Sequence, residues 1–382
     1  MRYEPDYVPS GAWQPKTERH RGAPPTIIMG PRPNLVINGG MTVSQRGTSF
    51  TTLAATQYTL DRWELEFSDS PDGRVTVSQD DGVPTGSGLS KSLKIECTTA
   101  EAAVGASEAI VLKTTLEAQD LQHLMYGDAA TAQTTSLSFW IKSPKSGKHC
   151  VALYMDDGAV HYIQEFMVTT ADEWEGQNII FPGYAGSAIA DDNGAGLTIS
   201  FPLVAGTDYQ ADKEIWATGN DYATSEQQNL LDSTANNFFV AGVKFEVGDF
   251  ATDFEHRRHA DVLIQCKRYY QRLEVGTNGD ILAIGQCEST SQVDFVVGGG
   301  FQAGMRTTLP TLTYSALGDF YMKNGTSSIT PNELVVVGGD GQSNNIFTVV
   351  STGNSSLTAG QCRTLAVDNT SSECWLAMDS EF

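Results

Sequence analysis

The chain has 382 residues and a formal net charge of −22, from 24 basic and 46 acidic side chains. So acidic a body is repelled by phosphate backbones, which argues against nucleic-acid binding, and no run approaches the ~20 apolar residues of a membrane span. The six cysteines, at 97, 150, 266, 287, 362 and 374, form no C-x-x-C pair, which argues against a zinc site or a disulfide framework and for free buried thiols in a chain made in a reducing cytoplasm.

Residues 1–33 hold seven of the 14 prolines and are locally basic. Proline fixes φ and removes an amide donor, so this segment reads as neither helix nor central strand. Its aromatic and basic side chains, Tyr3, Tyr7, Trp13, Arg19 and Arg21, suit an extended arm that lies on a partner's surface. The start "MRYEPDYVPSGAWQPK" has no apolar core of the kind a secretory signal needs.

From Asn34 the pattern changes. "NLVINGGMTVSQRG" and "YTLDRWELEFSDS" read as short strands between turns, and "TSLSFWIKS" alternates strictly. Leu137, Phe139 and Ile141 share one side of that strand, with Trp140 on the other. Val151, Leu153 and Met155 repeat the pattern with Tyr154 opposite. If the two strands are neighbours, Trp140 and Tyr154 share a face and make an aromatic platform for sugar, although Trp and Tyr equally suit a face covered by a second subunit. One helical interruption is expected at "LEAQDLQHLMYG". Strands continue through "NIIFPG", "LTISFPLVAG" and "NFFVAGVKFEVG", which together predict a β-sandwich over 34–255.

The join is "DFATDFEHRRHADVLIQCKRYYQRL". Val262, Cys266, Tyr269 and Leu273 recur at steps of three and four, so 256–275 is expected to be a helical linker. Strand patterning resumes from 276 to 382, as a second, smaller β-sandwich. The fold class predicted is therefore all-β: an arm, a sandwich, a short helix and another sandwich.

Chemistry-bearing motifs are few. The chain has no G-x-S-x-G elbow, H-E-x-x-H, P-loop or dinucleotide fingerprint, so no catalytic residue is assigned and the chain is read as non-enzymatic. His256 and His259 are spaced i, i+3, but the arginines between them repel a cation. Asp80-Asp81, Asp156-Asp157 and Asp191-Asp192 sit beside glycines as acidic turns. So acidic a chain has many candidates for paired carboxylates; these turns are among them, read first as solvated loop tips and next as candidate sites for a structural Ca²⁺, and no cofactor or metal is otherwise expected.

Two stretches taken together resemble a family. "NLVINGGMTVSQRGTSF…YTLDRWELEF" and "AGVKFEVGDFATDFEHR…QCKRYYQRL" resemble the opening and close of a module found in tailed-bacteriophage virion proteins, and the strands around them resemble carbohydrate-binding jelly rolls. The resemblance covers about 34–273. It implies a jelly-roll module whose first and last strands lie side by side, in a virion structural protein of fibre or decoration type. The expected partners are other virion proteins (capsid, portal or adaptor, or tail), two further copies in a homotrimer, and host surface glycan. Under that reading Glu255, Arg257 and Arg258 are candidates for an intersubunit collar, and the protein resides in the virion. A tailspike-like depolymerase is the enzymatic alternative, disfavoured because no long strand repeat is present.

Overall fold

The computed structural model describes residues 32–275, 281–297, 304–307, 310–324, 327–337, 347–352, 354, 357–367 and 374–382. The arm residues Tyr3, Tyr7, Trp13, Arg19 and Arg21 lie outside them.

The first departure from expectation is the opening stretch. Residues 34–48 contain no strand; they run as turns, with Asn38 and Met41 at positive φ. Strands follow in the order β1 (Ser49–Leu53), β2 (Gln57–Tyr58), β3 (Glu64–Ser68), β4 (Arg74–Asp80), β5 (Ser92–Thr99), β6 (Ala109–Glu117), β7 (Thr135–Lys142), β8 (Gly147–Met155), β9 (Val160–Val168), β10 (Glu175–Phe181), β11 (Ala195–Ala205), β12 (Trp216–Thr218) and β13 (Asn237–Val247). One sheet has the order β1-β4-β5-β13-β7-β10, the other β12-β9-β8-β11-β6-β3-β2. The chain crosses between the sheets repeatedly, as a jelly roll requires, and each strand turns alternate residues inward. Val75, Ile95, Leu137, Phe139 and Val240 meet Leu65, Leu112, Leu153, Ile199 and Phe201 in one buried core. Phe139 and Phe201 pack edge to face at 5.1 Å across the gap, a geometry that adds to area burial. The expected helical interruption is present as a 3₁₀ helix over Ala118–Leu124.

Start and close of this sandwich are adjacent, as the resemblance implied. The Leu35 amide donates to the Phe245 carbonyl at 2.8 Å, and the Val243 amide donates to the Gly39 carbonyl at 2.9 Å. The turn-rich opening is thus fastened along β13 without being a ladder strand.

The linker helix is shorter than its periodicity predicted. α1 covers His259–Cys266 only; Tyr269 is in a turn and Leu273 is in β14 (Tyr270–Val275). An eight-residue helix is marginal by itself. Here a six-residue antiparallel ladder with the last strand captures the following backbone. The later strands are β15 (Ile281–Cys287), β16 (Val293–Val297), β17 (Thr311–Tyr314), β18 (Phe320–Asn324), β19 (Ser327–Ile329), β20 (Val335–Val337), β21 (Phe347–Ser351), β22 (Cys362–Val367) and β23 (Cys374–Asp379). They form a three-stranded sheet, β14-β23-β17, and a seven-stranded sheet, β19-β18-β22-β15-β16-β21-β20, around a core of their own that includes Phe295, Phe320, Met322, Leu365 and Leu376.

Two cores do not make two loosely strung bodies. Residues 33–382 form one compact unit, and a charged seam joins its two sandwiches. Buried Arg62 pairs with buried Glu381 and donates to the Thr115 carbonyl, with its guanidinium 3.5 Å from the Tyr269 ring centre. Arg46 pairs with Asp379 at 2.9 Å and Glu381 at 3.4 Å and lies 3.6 Å from the Tyr270 ring. Glu117, fully buried on the outer face of β6, accepts from Arg268 Nε at 2.8 Å and from the Tyr269 hydroxyl at 2.7 Å.

Candidate functional site

The outer face of the seven-stranded jelly-roll sheet carries the site. Register places Tyr154 of β8 opposite His161 of β9 and Thr198 of β11, and Thr198 opposite Thr115 of β6. One step along, Ala152, Ser200, Lys113 and Glu64 follow one another across β8, β11, β6 and β3. Small residues at the centre make a floor, and larger ones at the rim make walls. On one side the segment 206–224 folds over the sheet, covering Cys150, Ala152 and Ile163 with Tyr209 and Ala223 and Val111 with Tyr222. On the other side the seam brings up Arg306 and Phe382. Between them lies a cleft of about 430 Å³, lined by Glu64, Lys113, Thr115, Tyr154, Asp156, Ala195, Thr198, Ser200, Asn220, Tyr222, Arg306 and Phe382.

Most polar groups around this cleft hold each other. Lys113 bridges Glu64, at 3.1 Å, and Glu66. The Tyr222 hydroxyl donates to Glu66 at 3.0 Å and accepts from Asn220 at 2.9 Å, and Tyr222 stacks on Tyr209 at 5.3 Å. His161, buried under the same segment, is 3.1 Å from the Gly219 carbonyl through Nδ1, which braces the loop bearing Asn220. Thr115 and Thr198 share a hydroxyl hydrogen bond of 3.0 Å. Among the described residues two buried polar atoms here have no partner, His161 Nε2 under the loop and the hydroxyl of Ser200, a residue 1% exposed that lines the cleft. A buried hydroxyl without a partner costs about 1–3 kcal/mol, which a ligand hydroxyl would recover.

Carboxyl chemistry in the cleft is differentiated. Burial pushes Glu64 up against the pull of Lys113, whereas for Glu66 burial is outweighed by Lys113 and by hydrogen bonds from Lys113, Tyr222 and Ser68, and its carboxyl is held down. Asp156 is pushed up to about 6 by its own burial and by the charge of Asp157. Burial, with Asp156 second, raises the Tyr154 hydroxyl.

The sequence-derived sites distribute unevenly. Tyr154 lines the cleft with its face orientation as expected, but Trp140 does not join it. β7 pairs with β13 and β10, and β8 with β9 and β11, so the two rings stand on opposite outer faces of the sandwich. The chain changes sheets between β7 and β8, so these two strands, adjacent in sequence, are not adjacent in space. The Trp140 indole lies against Gly176 and Gly242 of the flanking strands. Glu255 and Arg257 pair with each other at 3.0 Å, and both bind the backbone of Asn34, the carboxylate accepting from its amide at 3.1 Å and the guanidinium donating to its carbonyl at 3.1 Å. Arg258 is exposed and pairs with Asp261 one turn into α1. His256 and His259 line a separate hollow of about 370 Å³ with Asn34, Leu89, Phe254 and Val262. No group of three or more His, Cys, Asp or Glu side chains among the described residues could hold a metal ion. Asp80 and Asp192 instead cap their own turns, accepting from Gly82 at 2.7 Å and Gly194 at 2.8 Å.

Ser200, Thr198, Thr115 and Lys113 were not singled out from the sequence. Period-two reading of "LTISF" and "AIVLKTTLE" puts all four on outward faces, opposite Leu197, Ile199, Leu112 and Leu116. What it leaves open is that β11 and β6 are neighbours.

Fold and cleft define a jelly-roll sandwich, open on one outer face, with a second β-sandwich locked beside the opening. Solved structures offer distant likenesses over about half of the chain. The chain resembles the enzymatically active domain of tailspike protein 4 of bacteriophage CBA120 (13% identity, TM-score 0.30, 56% of this chain and 21% of that one). It also resembles the family 11 carbohydrate-binding module of cellulase Lic26A-Cel5E of Clostridium thermocellum (15%, 0.27, 54% and 96%) and TmCBM61 in complex with β-1,4-galactotriose (11%, 0.27, 56% and 99%). No protein-family model and no curated protein matches the sequence. Similarity at these levels says nothing of what the chain binds.

Proposed function

We propose that this chain is a non-enzymatic structural protein of a bacteriophage virion, a trimeric tail or neck fibre, whose jelly roll holds host surface polysaccharide in the outer cleft. The observation that carries the glycan reading is the unpartnered Ser200 hydroxyl on a floor of small residues beside the Tyr154 ring. A sugar ring offers what such a site lacks, an apolar face for the aromatic and hydroxyls for the floor and the rim. In affinity electrophoresis through gels containing dextran, galactan, β-glucan, xylan or bacterial O-polysaccharide, at least one polymer is expected to retard the chain. Tyr154→Ala is expected to weaken that retardation about tenfold or more. Retardation by none of them sinks the glycan reading. Release of reducing ends would favour the depolymerase alternative, for which the raised Asp156 in the same cleft speaks.

The virion reading rests on the sequence resemblance and on the proline-stiffened, aromatic and basic arm of residues 1–33, read as the anchor to capsid, portal or tail. Exposed Ile281, Ile284 and Val335 on the C-terminal sandwich support its burial against further copies. Immunogold labelling of intact particles is expected to mark one fixed position, and light scattering a trimer in solution. Unlabelled particles, or a stable monomer, would remove the corresponding half of this reading.

A further inference from the structure

The jelly roll does not close its own cleft; one wall comes from the other sandwich. Phe382, half-buried, and Arg306 line the opening, and both belong to the C-terminal part of the chain. Arg306 is engaged on both sides of the seam. Its Nε donates to the Ser380 carbonyl at 2.7 Å and its Nη2 to the Glu381 carbonyl at 2.6 Å. Its Nη1 donates to the Asn193 carbonyl at 3.0 Å, and the Asn193 amide returns a bond of 2.7 Å to the Arg306 carbonyl. Asn193 sits in the turn that feeds β11, two residues before the strand begins and five before Thr198. The guanidinium also lies 4.2 Å from the centre of the Phe382 ring, whose other neighbours are Tyr269 at 5.9 Å and Arg62 at 5.3 Å.

This arrangement has a chemical consequence. Three nitrogens of Arg306 are occupied by carbonyls, so in this cleft it is poorly placed to grip an anion, and Lys113 is likewise spent on two glutamates. What the seam offers a ligand is the part of the Phe382 ring that lines the cleft, held in a fixed orientation by Arg306 and Tyr269. We infer that Phe382, positioned by Arg306, is a ligand-contacting wall of the cleft opposite the loop of Asn220 and Tyr222, so that the glycan site is completed only when the C-terminal sandwich is docked. The inference rests on the glycan reading above and adds a contact that the jelly roll alone cannot supply. The ligand class it selects is a sugar chain thick enough to touch both walls, with an apolar ring face turned to Phe382 and hydroxyls turned to Ser200 and Thr198.

The test uses the full chain and whichever of the five polymers retards it. An aromatic contact is worth up to about tenfold in affinity, so Phe382→Ala is expected to weaken retardation about five- to tenfold, and Phe382→Tyr to restore it to within about threefold. Because Phe382 also packs in the seam, a second measurement on the unaltered protein separates contact from support. Hydroxyl-radical footprinting with the same polymer is expected to halve oxidation at Phe382 and at Tyr154, and to leave exposed Phe250 unchanged as the internal control. Retardation that depends on Tyr154 but is indifferent to Phe382→Ala, with an unchanged footprint at Phe382, overturns the inference and leaves the glycan reading standing. Retardation by no polymer overturns both.

Discussion

Glu381→Ala is expected to destabilise the chain by about 3–5 kcal/mol, the range found when one partner of a buried ion pair is removed. The reason is what remains. Arg62 is 2% exposed, and its counter-charge in the seam is Glu381; without it the guanidinium retains the Thr115 carbonyl and the Tyr269 ring, neither of which balances a full charge. Arg46 is less affected, because Asp379 still faces it at 2.9 Å. Replacing both members by apolar groups, Arg62→Met with Glu381→Leu, is expected to recover most of the loss, since desolvating the pair costs about as much as their attraction returns. Denaturant unfolding measures this at constant m. The wild-type chain should melt its two cores in one transition, and Glu381→Ala should shift the midpoint of that same single transition downward. A loss under about 1 kcal/mol would mean that water reaches Arg62 and that the seam is an ordinary surface contact.

The seam also shows where sequence reading stops. Strand and turn patterning gave both sandwiches, because Leu137, Phe139 and Ile141, or Leu65 and Phe67, obey the two-residue period that a half-buried sheet imposes. The same rule oriented Tyr154 and Trp140 correctly on their own strands. It failed at their relation, since which strands pair is decided by crossovers between sheets that leave no local mark. The linker helix erred for a related reason. The period of Val262, Cys266, Tyr269 and Leu273 is real, yet Tyr269 is wanted under Arg62, and the backbone after it is wanted by β23. Tertiary pairing outcompeted two further helical turns. The cluster of Glu255, Arg257 and Arg258 stood out in the sequence as candidates for an intersubunit collar, but nothing local marked that two of its members grip Asn34, more than two hundred residues earlier. The cleft itself needed both kinds of missing information: strand order for its floor, and the docking of Phe382 for its wall.

The clasp that closes the jelly roll yields the other large expected effect. Asn34 is buried and spends its whole side chain on this junction. Its Nδ2 donates to the Val243 carbonyl at 2.9 Å, and its Oδ1 accepts from the amides of Val36 and Phe245, both at 3.0 Å. Asn34→Ala strands three buried backbone groups and is expected to cost about 2–4 kcal/mol. Asn34→Asp keeps both acceptor bonds but loses the donor and sets a second carboxylate near Glu255, so it should fall between alanine and wild type at low pH and approach alanine as the new carboxyl ionises. Gly39 tests the same junction sterically. A Cβ there would stand 2.0 Å from the Val243 carbonyl oxygen, a main-chain atom with no rotamer to yield, so Gly39→Ala must peel the opening segment from β13 and is expected to cost about 3–5 kcal/mol. Its neighbour is the control. A Cβ on Gly40 meets the Phe254 ring at 3.5 Å and the Thr42 methyl at 3.8 Å, ordinary contacts, and Gly40→Ala should change stability by less than about 1 kcal/mol. The contrast between two adjacent glycines isolates the close approach from any general effect of stiffening the turn. Equal losses at 39 and 40, read from denaturation midpoints, would show that the opening segment is held by the turns themselves and that β13 is merely nearby.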